Sequence, residues 1–285
     1  MRVRNPAAVL TAHGSKILRA TYQRIGRDRI LANAAGVVFY GLLAIFPAIT
    51  ALVSSYGLFA DPSTIADNLH SLALLLPGDS FSIVQDEIGR VLAKPNSSLS
   101  LTFGFGLLLA VWSANAGVKA VLDALNVAYE AEEERGFIRL NLVSLAFTVA
   151  GLVAILLMVG AVIGVPLALQ RLGLDQGAQA LVEIGRWPVL GGVLLAALMA
   201  LYGFGPSRAR PKLRWLVPGA VLAIVLWLIG SMLLSWYLSD FANYSATYGS
   251  LGAAIGLMTW MWLSAIIILV GAEFNSEIER QASRL

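Results

Sequence analysis

Chemistry in this chain would have to come from very few side chains. Asn115, Lys119 and Asp123 recur at a spacing of four, which puts all three on one face of a helix. Asn115 falls inside an apolar run, and Lys119 near its end. A buried amide and an ammonium there need partners. The pattern therefore reads either as a polar face lining a cavity, or as a helix end whose lysine reaches the headgroups and pairs with Asp123. Glu273 and Glu277 lie one helical turn apart near the C-terminus. Lys119 and Glu273 are expected at similar membrane depth, where they can pair as a structural clamp or as a gate. Tyr40 and Gly41 shortly precede Phe46-Pro47, and a proline within a span frees a carbonyl and bends the helix. Such breaks line transporter sites, and they also occur as simple kinks.

Other chemistries lack their residues. There is no cysteine, hence no disulfide, thiolate metal site or cysteine nucleophile. The two histidines, His13 and His70, stand apart in polar flanks, so one copy of the chain cannot form a histidine metal cluster. The phosphate-loop, zinc-protease and nucleophile-elbow patterns do not occur. The expectation is a protein with no cofactor and no metal that is not an enzyme and does not bind nucleic acid.

The elements that would hold these residues are set by composition. Of 285 residues, 58% are hydrophobic and 13% charged, and the mean hydropathy is +0.76. An average soluble domain is nearer 45–50% apolar and about 25% charged, so a soluble enzyme is excluded. Six stretches free of Asp, Glu, Lys and Arg are long enough to cross a bilayer: Ile30–Ala60, Pro95–Val118, Leu140–Gln170, Trp187–Ser207, Trp215–Ser239 and Phe241–Ala272. Each meets the requirement of about 20 apolar residues. The predicted fold is all-α: one membrane domain over residues 1–285, a six-span bundle over 30–272, a cytoplasmic segment 1–29 and a tail 273–285. The connection 61–94 is predicted to carry two short external amphipathic helices, Ser63–Leu76 and Asp79–Ala93.

Lysine and arginine decide the orientation. The N-terminal segment, the second-to-third and fourth-to-fifth connections and the C-terminal tail hold sixteen of them; the opposite connections hold Arg90, Lys94, Arg171 and Arg186. Both termini are therefore expected in the cytoplasm. Ser15–Arg29 reads as an interfacial helix through Ile17, Leu18, Tyr22 and Ile25, or simply as the positive-inside signal. Gly160/Gly164 and Gly252/Gly256 are small-residue faces for close helix packing, or for self-association. Trp187, Trp215, Trp236, Tyr237, Phe241, Tyr244 and Tyr248 fit an interfacial aromatic belt.

Three strings carry a family resemblance. Gly36 through Pro47, Trp112 through Tyr129 followed by Arg135, and Tyr248 through Gly252 with Trp260 through Asn275 together resemble the signatures of the YihY/BrkB family of bacterial inner-membrane proteins. The resemblance covers about Gly36 to Glu279. It implies six spans and an inner-membrane location. Members carry labels tied to virulence and serum resistance, and an older label as ribonuclease BN. The expected function is a transporter or exporter of a small or amphipathic molecule, lipid-linked ones included. Its working set is Tyr40, Pro47, Asn115, Lys119, Asp123 and Glu273, and its partners are the lipid bilayer and that molecule. The alternative is a non-transporting protein that organises lipids or partners; a membrane-embedded enzyme ranks behind both.

Overall fold

Apolar runs of this length can satisfy their backbone groups in lipid only as helices or closed barrels, and this chain takes the helical solution. A computed structural model describes residues 5–59, 96–159, 176–209, 211–240 and 251–284. Among the described residues seven long helices follow one another: α1 Pro6–Arg27, α2 Ile30–Phe59, α3 Asn96–Ala128, α4 Phe137–Val159, α5 Gln176–Phe204, α6 Val217–Asp240 and α7 Leu251–Ser283. A single 3-10 turn, Leu213–Trp215, precedes α6. No strand occurs among the described residues. Among the described residues five helices are long and apolar enough to cross a membrane; α1 with Ile30–Ile45, bent by 60° at the break between them, makes a sixth candidate. At most 28% of any of the five spans is buried within the protein, so apolar side chains such as Phe105, Leu108, Leu157 and Met232 face outward. That surface needs a hydrocarbon solvent.

The ends of the helices follow local chemistry. Asn5 caps α1 by accepting from the Ala7 N–H, Pro6 occupies the first turn, and Arg24 and Arg27 lie in the last. Proline is at home there and cations suit the C-terminal dipole. α1 breaks its helical geometry at His13. Arg29 then takes a left-handed backbone conformation, φ 51°, which separates α1 from α2. α2 runs on through Pro47. α5 begins eleven residues before the expected span and carries Glu183 and Arg186 within it. α7 runs eleven residues past Ala272. The predicted external helices, Gly160, Gly164, His70, Phe241, Tyr244 and Tyr248 lie outside the described residues.

The chain divides into two compact units. The first comprises Met1–Leu31, Leu122–Leu226 and Ile267–Leu285. Here α1 lays Val9 and Ile17 against Phe274 and Ile278 of α7. Of the residues expected on the α1 stripe, Ile17 is fully buried, whereas Leu18 and Tyr22 are exposed. The buried face includes Val9, Ile17, Thr21 and Arg24, and α7 packs against Val9 and Ile17. α6 and α7 approach at Gly219 and Gly271, where an added Cβ on either would run into the other's backbone carbonyl.

The second unit comprises Ala32–Val121 and Trp227–Ile266. Gly117 of α3 faces Tyr40 of α2, whose Cβ would lie 3.5 Å from an added one. A Cβ on Gly41 would collide with the Met261 methyl. Trp227 and Trp260 meet edge to face at 6.0 Å and donate to Ser264 (3.0 Å) and Ser231 (3.2 Å) respectively. Gly252 and Gly256 are buried, and a Cβ on Gly256 would touch Leu238 at 3.4 Å.

Candidate functional site

The first unit gathers the charged residues that flank the spans. Arg24 is 4% exposed, and a buried guanidinium needs several acceptors. Its Nη2 lies 2.8 Å from Glu130 Oε1 and its Nη1 donates to Ser276 Oγ at 3.3 Å. Its Nε lies 3.2 Å from Asp28 Oδ2 and 3.3 Å from Glu273 Oε2. Glu130 Oε1 also receives Arg27 Nη2 at 2.9 Å and Arg280 Nη2 at 2.8 Å. One carboxylate oxygen thus ties α1, the 129–136 connection and α7 together. Glu130 does this from a left-handed backbone, φ 50°, a strained geometry for a non-glycine residue that the surrounding ion pairs hold in place. Burial pushes its carboxyl up, but Arg280, Arg24 and Arg27 outweigh that and hold it below the usual carboxylate range.

A second latch closes the 129–136 connection. Glu133 accepts Arg135 Nε at 2.7 Å and Nη2 at 2.8 Å, a bidentate pair. The Arg135 hydrogen bonds hold the Glu133 carboxyl at about 2. Arg135 also donates to the Gly205 carbonyl at 2.7 Å. Asn126 donates to Glu133 Oε2 at 3.0 Å and accepts the Ser207 N–H at 2.7 Å. Arg208 stacks 3.8 Å over the Tyr129 ring and pairs with Glu279 through both of its terminal nitrogens.

A third latch is Asn275, which is fully buried. Its Oδ1 accepts the Gly219 N–H at 2.7 Å and its Nδ2 donates to the Leu216 carbonyl at 3.0 Å. The first turn of α6 has backbone N–H groups without helical partners, and α7 supplies one from a distance. Tyr202 donates to the Ile268 carbonyl at 2.7 Å. The motif residues Asn126, Tyr129, Arg135, Gly271, Glu273 and Asn275 thus converge on internal clamps.

Beside these clamps lies a cavity of about 740 Å³ between α4 and α5. Glu134, Arg135, Arg139, Ser207 and Arg208 form its polar end, three cations against one carboxylate. Val143, Ala146, Phe147 and Ala150 line its wall, one helical face of α4 running about 16 Å from Arg139. Arg139 is exposed and has no acidic partner among the described residues.

The residues singled out by spacing fall in both units. Asp123 and Glu273 belong to the first unit, and Tyr40, Pro47, Asn115 and Lys119 to the second. Asp123 is exposed, and Lys119, Asn115 and Pro47 are half-buried. The Asn115 Oδ1 is shielded from solvent with no hydrogen-bond partner, which marks it as a polar atom in want of a ligand or water. Tyr40 is 38% exposed and meets Phe39 edge to face. Glu273 finds its cation in Arg24, a residue read in the sequence only as positive-inside charge. Arg24, Glu130, Asn275 and Arg280 were missed because their partners are remote in sequence. The one available signal was a glutamate and an asparagine, Glu273 and Asn275, in an otherwise apolar helix. Among the described residues no group of three or more metal-ligating side chains comes together.

The helices and their outward apolar faces define a multi-pass α-helical membrane protein. The family model described as virulence factor BrkB matches residues 21–284. The chain belongs to this family. It is 36% identical over 269 residues to a protein of Bacillus subtilis (strain 168) named ribonuclease-like protein YfkH, covering 93% of this chain and 95% of that one. It is 28% identical over 274 residues to a UPF0761 membrane protein of Alkalilimnicola ehrlichii, covering 90% of this chain and 56% of that longer relative. It is 24% identical over 273 residues to the UPF0761 membrane protein VV0203 of Vibrio vulnificus (strain YJ016), covering 93% and 83%. No solved structure matches the chain.

Proposed function

We propose that this chain is an inner-membrane transporter of an amphipathic molecule with an anionic head. The observation that carries the reading is the cavity between α4 and α5, with arginines at one end and an apolar wall along the span. A phosphate or carboxylate head suits Arg139, because Arg135 and Arg208 are already engaged by Glu133 and Glu279. An acyl or prenyl chain suits the wall of Val143, Ala146, Phe147 and Ala150, by burial of apolar area. Asn115, with its unmet oxygen, and Lys119 are the polar groups of the second unit in this reading, and Pro47 is the place where α2 would bend.

Both termini are read as cytoplasmic. The four basic segments assigned to that side by charge also touch one another in the first unit, through Arg24 with Glu130, Ser207 with Glu134, and Arg208 with Glu279. No catalytic step is assigned. A nuclease reading would follow the name of the Bacillus subtilis relative, but the acidic residues gathered here are held by arginines.

The test is reconstitution into liposomes with fluorescent anionic and zwitterionic lipid analogues. Arg139→Ala is expected to reduce movement of the anionic analogue at least tenfold and to leave the fold intact by circular dichroism. Equal movement by the variant, or none by the wild type with any analogue, removes the transport reading. The second outcome favours the organising protein, a reading supported by how many motif residues serve as clamps. Lys119→Ala is expected to abolish flux, and unchanged flux takes Lys119 out of the working set.

A further inference from the structure

The cations of the first unit are of two kinds. Arg24, Arg27, Arg208 and Arg280 each meet a carboxylate. Lys16 and Arg19 of α1 are exposed and have no acidic partner among the described residues. Internal pairing therefore does not account for them. Nor does the packing of α1 account for its apolar residues beside them. Tyr22 is 77% and Leu18 59% exposed, and Ile25 is half-buried.

Their order around the helix is regular. After the break at His13, Ile17, Thr21 and Arg24 form the buried face. Ile17 packs with Phe274 and Ile278 of α7, and Arg24 lies beside Glu273 and Ser276. One residue on from each, about 100° further round the helix, come Leu18, Tyr22 and Ile25. A second such step reaches Arg19, Gln23 and Gly26, and Lys16 stands one turn before Arg19 on the same side. Between Gly14 and Arg27 no charged residue falls in the middle sector. Going round, α1 shows protein contacts, then apolar side chains, then cations. Its contacts on α7 lie just past Ala272, where the charge-free run of that helix ends, so α1 lies at the rim of the apolar span. Single exposed apolar residues are ordinary on protein surfaces. Three in one sector, bordered by unpaired cations at the rim of a span, make the pattern of a helix lying in the bilayer interface.

We propose that α1 is a docking surface for anionic phospholipid headgroups, held by Lys16 and Arg19 while Leu18, Tyr22 and Ile25 enter the adjoining acyl layer. This does not rest on the transport reading. Charge complementarity selects the anionic headgroup. An ammonium and a guanidinium without carboxylate partners suit a lipid phosphate whose charge is uncompensated, whereas a zwitterionic headgroup carries its own cation. Tyr22 suits this depth, with its ring among acyl chains and its hydroxyl at the headgroups. Arg24 and Arg27 take no part, because Glu130 holds both. Two cations of α1 thus read the lipid and two hold the fold. Lipid bound on α1 also stabilises the folded chain, since the same helix carries Arg24 to Glu130 and Glu273.

The experiment uses the full chain in phosphatidylcholine nanodiscs doped with spin-labelled phosphatidylglycerol or spin-labelled phosphatidylcholine. The wild type is expected to restrict the anionic probe at least threefold more strongly than the zwitterionic one, and high salt to reduce the preference. Equal restriction of the two probes by the wild type overturns the proposal without any variant. Lys16→Gln combined with Arg19→Gln is expected to bring the ratio close to one, and each single variant to give an intermediate ratio. An unchanged ratio in the folded variants overturns the proposal. A preference lost in Arg139→Ala and kept in the Lys16/Arg19 variant places the anionic lipid in the cavity between α4 and α5; that overturns the present proposal and leaves the transport reading standing. Depth is read separately, since the chain has no cysteine. Nitroxides on Leu18→Cys and Tyr22→Cys are expected to be relaxed more by oxygen than by a water-soluble nickel chelate, and one on Gln23→Cys the reverse. Equal nickel access at all three positions overturns the immersion of α1.

Discussion

Single residues here act mainly as ties between distant segments. Glu133 is the simplest to test. Arg135 holds its carboxyl at about 2, against about 4.3 for an unperturbed glutamate. A lowered folded value means that the pair stabilises the fold above the unfolded value and that this contribution is lost as pH falls through the folded one. The thermal midpoint of wild type is therefore expected to exceed that of Glu133→Gln at about pH 6, and the gap to close progressively between about pH 4.5 and pH 2. A gap independent of pH would show that Glu133 contributes by packing and not by charge. Little of this was legible in the sequence. The run from Glu130 to Glu134 reads as solvated charge, yet Glu130 and Glu133 each have an arginine partner. Composition cannot tell a solvated carboxylate from a paired one.

At the scale of the helix, the apolar runs foretold where most elements lie, and they erred where charge was buried. α2 and α6 begin and end within a few residues of the predicted spans, and α3 begins one residue from its span and runs on to Ala128, past the charge-free limit at Val118. The charge-free run ends at Ala272, whereas the α7 helix continues to Ser283, with Glu273 buried beside Arg24 from the far end of the chain. On α1, Val9 and Ile17 pack against α7 while Leu18 and Tyr22 stay exposed, a division that only the tertiary fold sets. Glycines show a comparable split. Gly219→Ala would drive a Cβ into the Gly271 carbonyl and Asn275, and it is expected to lower stability by about 1–3 kcal/mol. Gly151 of α4 has nothing within 4 Å of an added Cβ, so Gly151→Ala is expected to be neutral or to stabilise by up to about 1 kcal/mol. Thermal unfolding in one detergent compares the two. Equal effects would mean that α6 and α7 do not approach at Gly219.

At the scale of the molecule, the absence of cysteine makes topology directly measurable. Ser15→Cys and Ser283→Cys, both at exposed positions, are expected to react with an impermeant maleimide only from the cytoplasmic side. Gly177→Cys, exposed near the start of α5, is expected to react only from outside. Labelling of Ser15→Cys and Ser283→Cys from opposite sides would overturn the proposal that both termini are cytoplasmic.

The amino-acid sequence alone determines that this chain lives in a bilayer as a series of helices. Transfer of apolar side chains into hydrocarbon is close to a sum over neighbours along the chain, so a reading of local runs captures it. Which charges meet is a different kind of question. Arg24 reaches Glu130 across 106 positions and Ser276 across 252, and nothing local encodes those distances. Only the packed fold decided that the polar residues of the helix ends would bind one another.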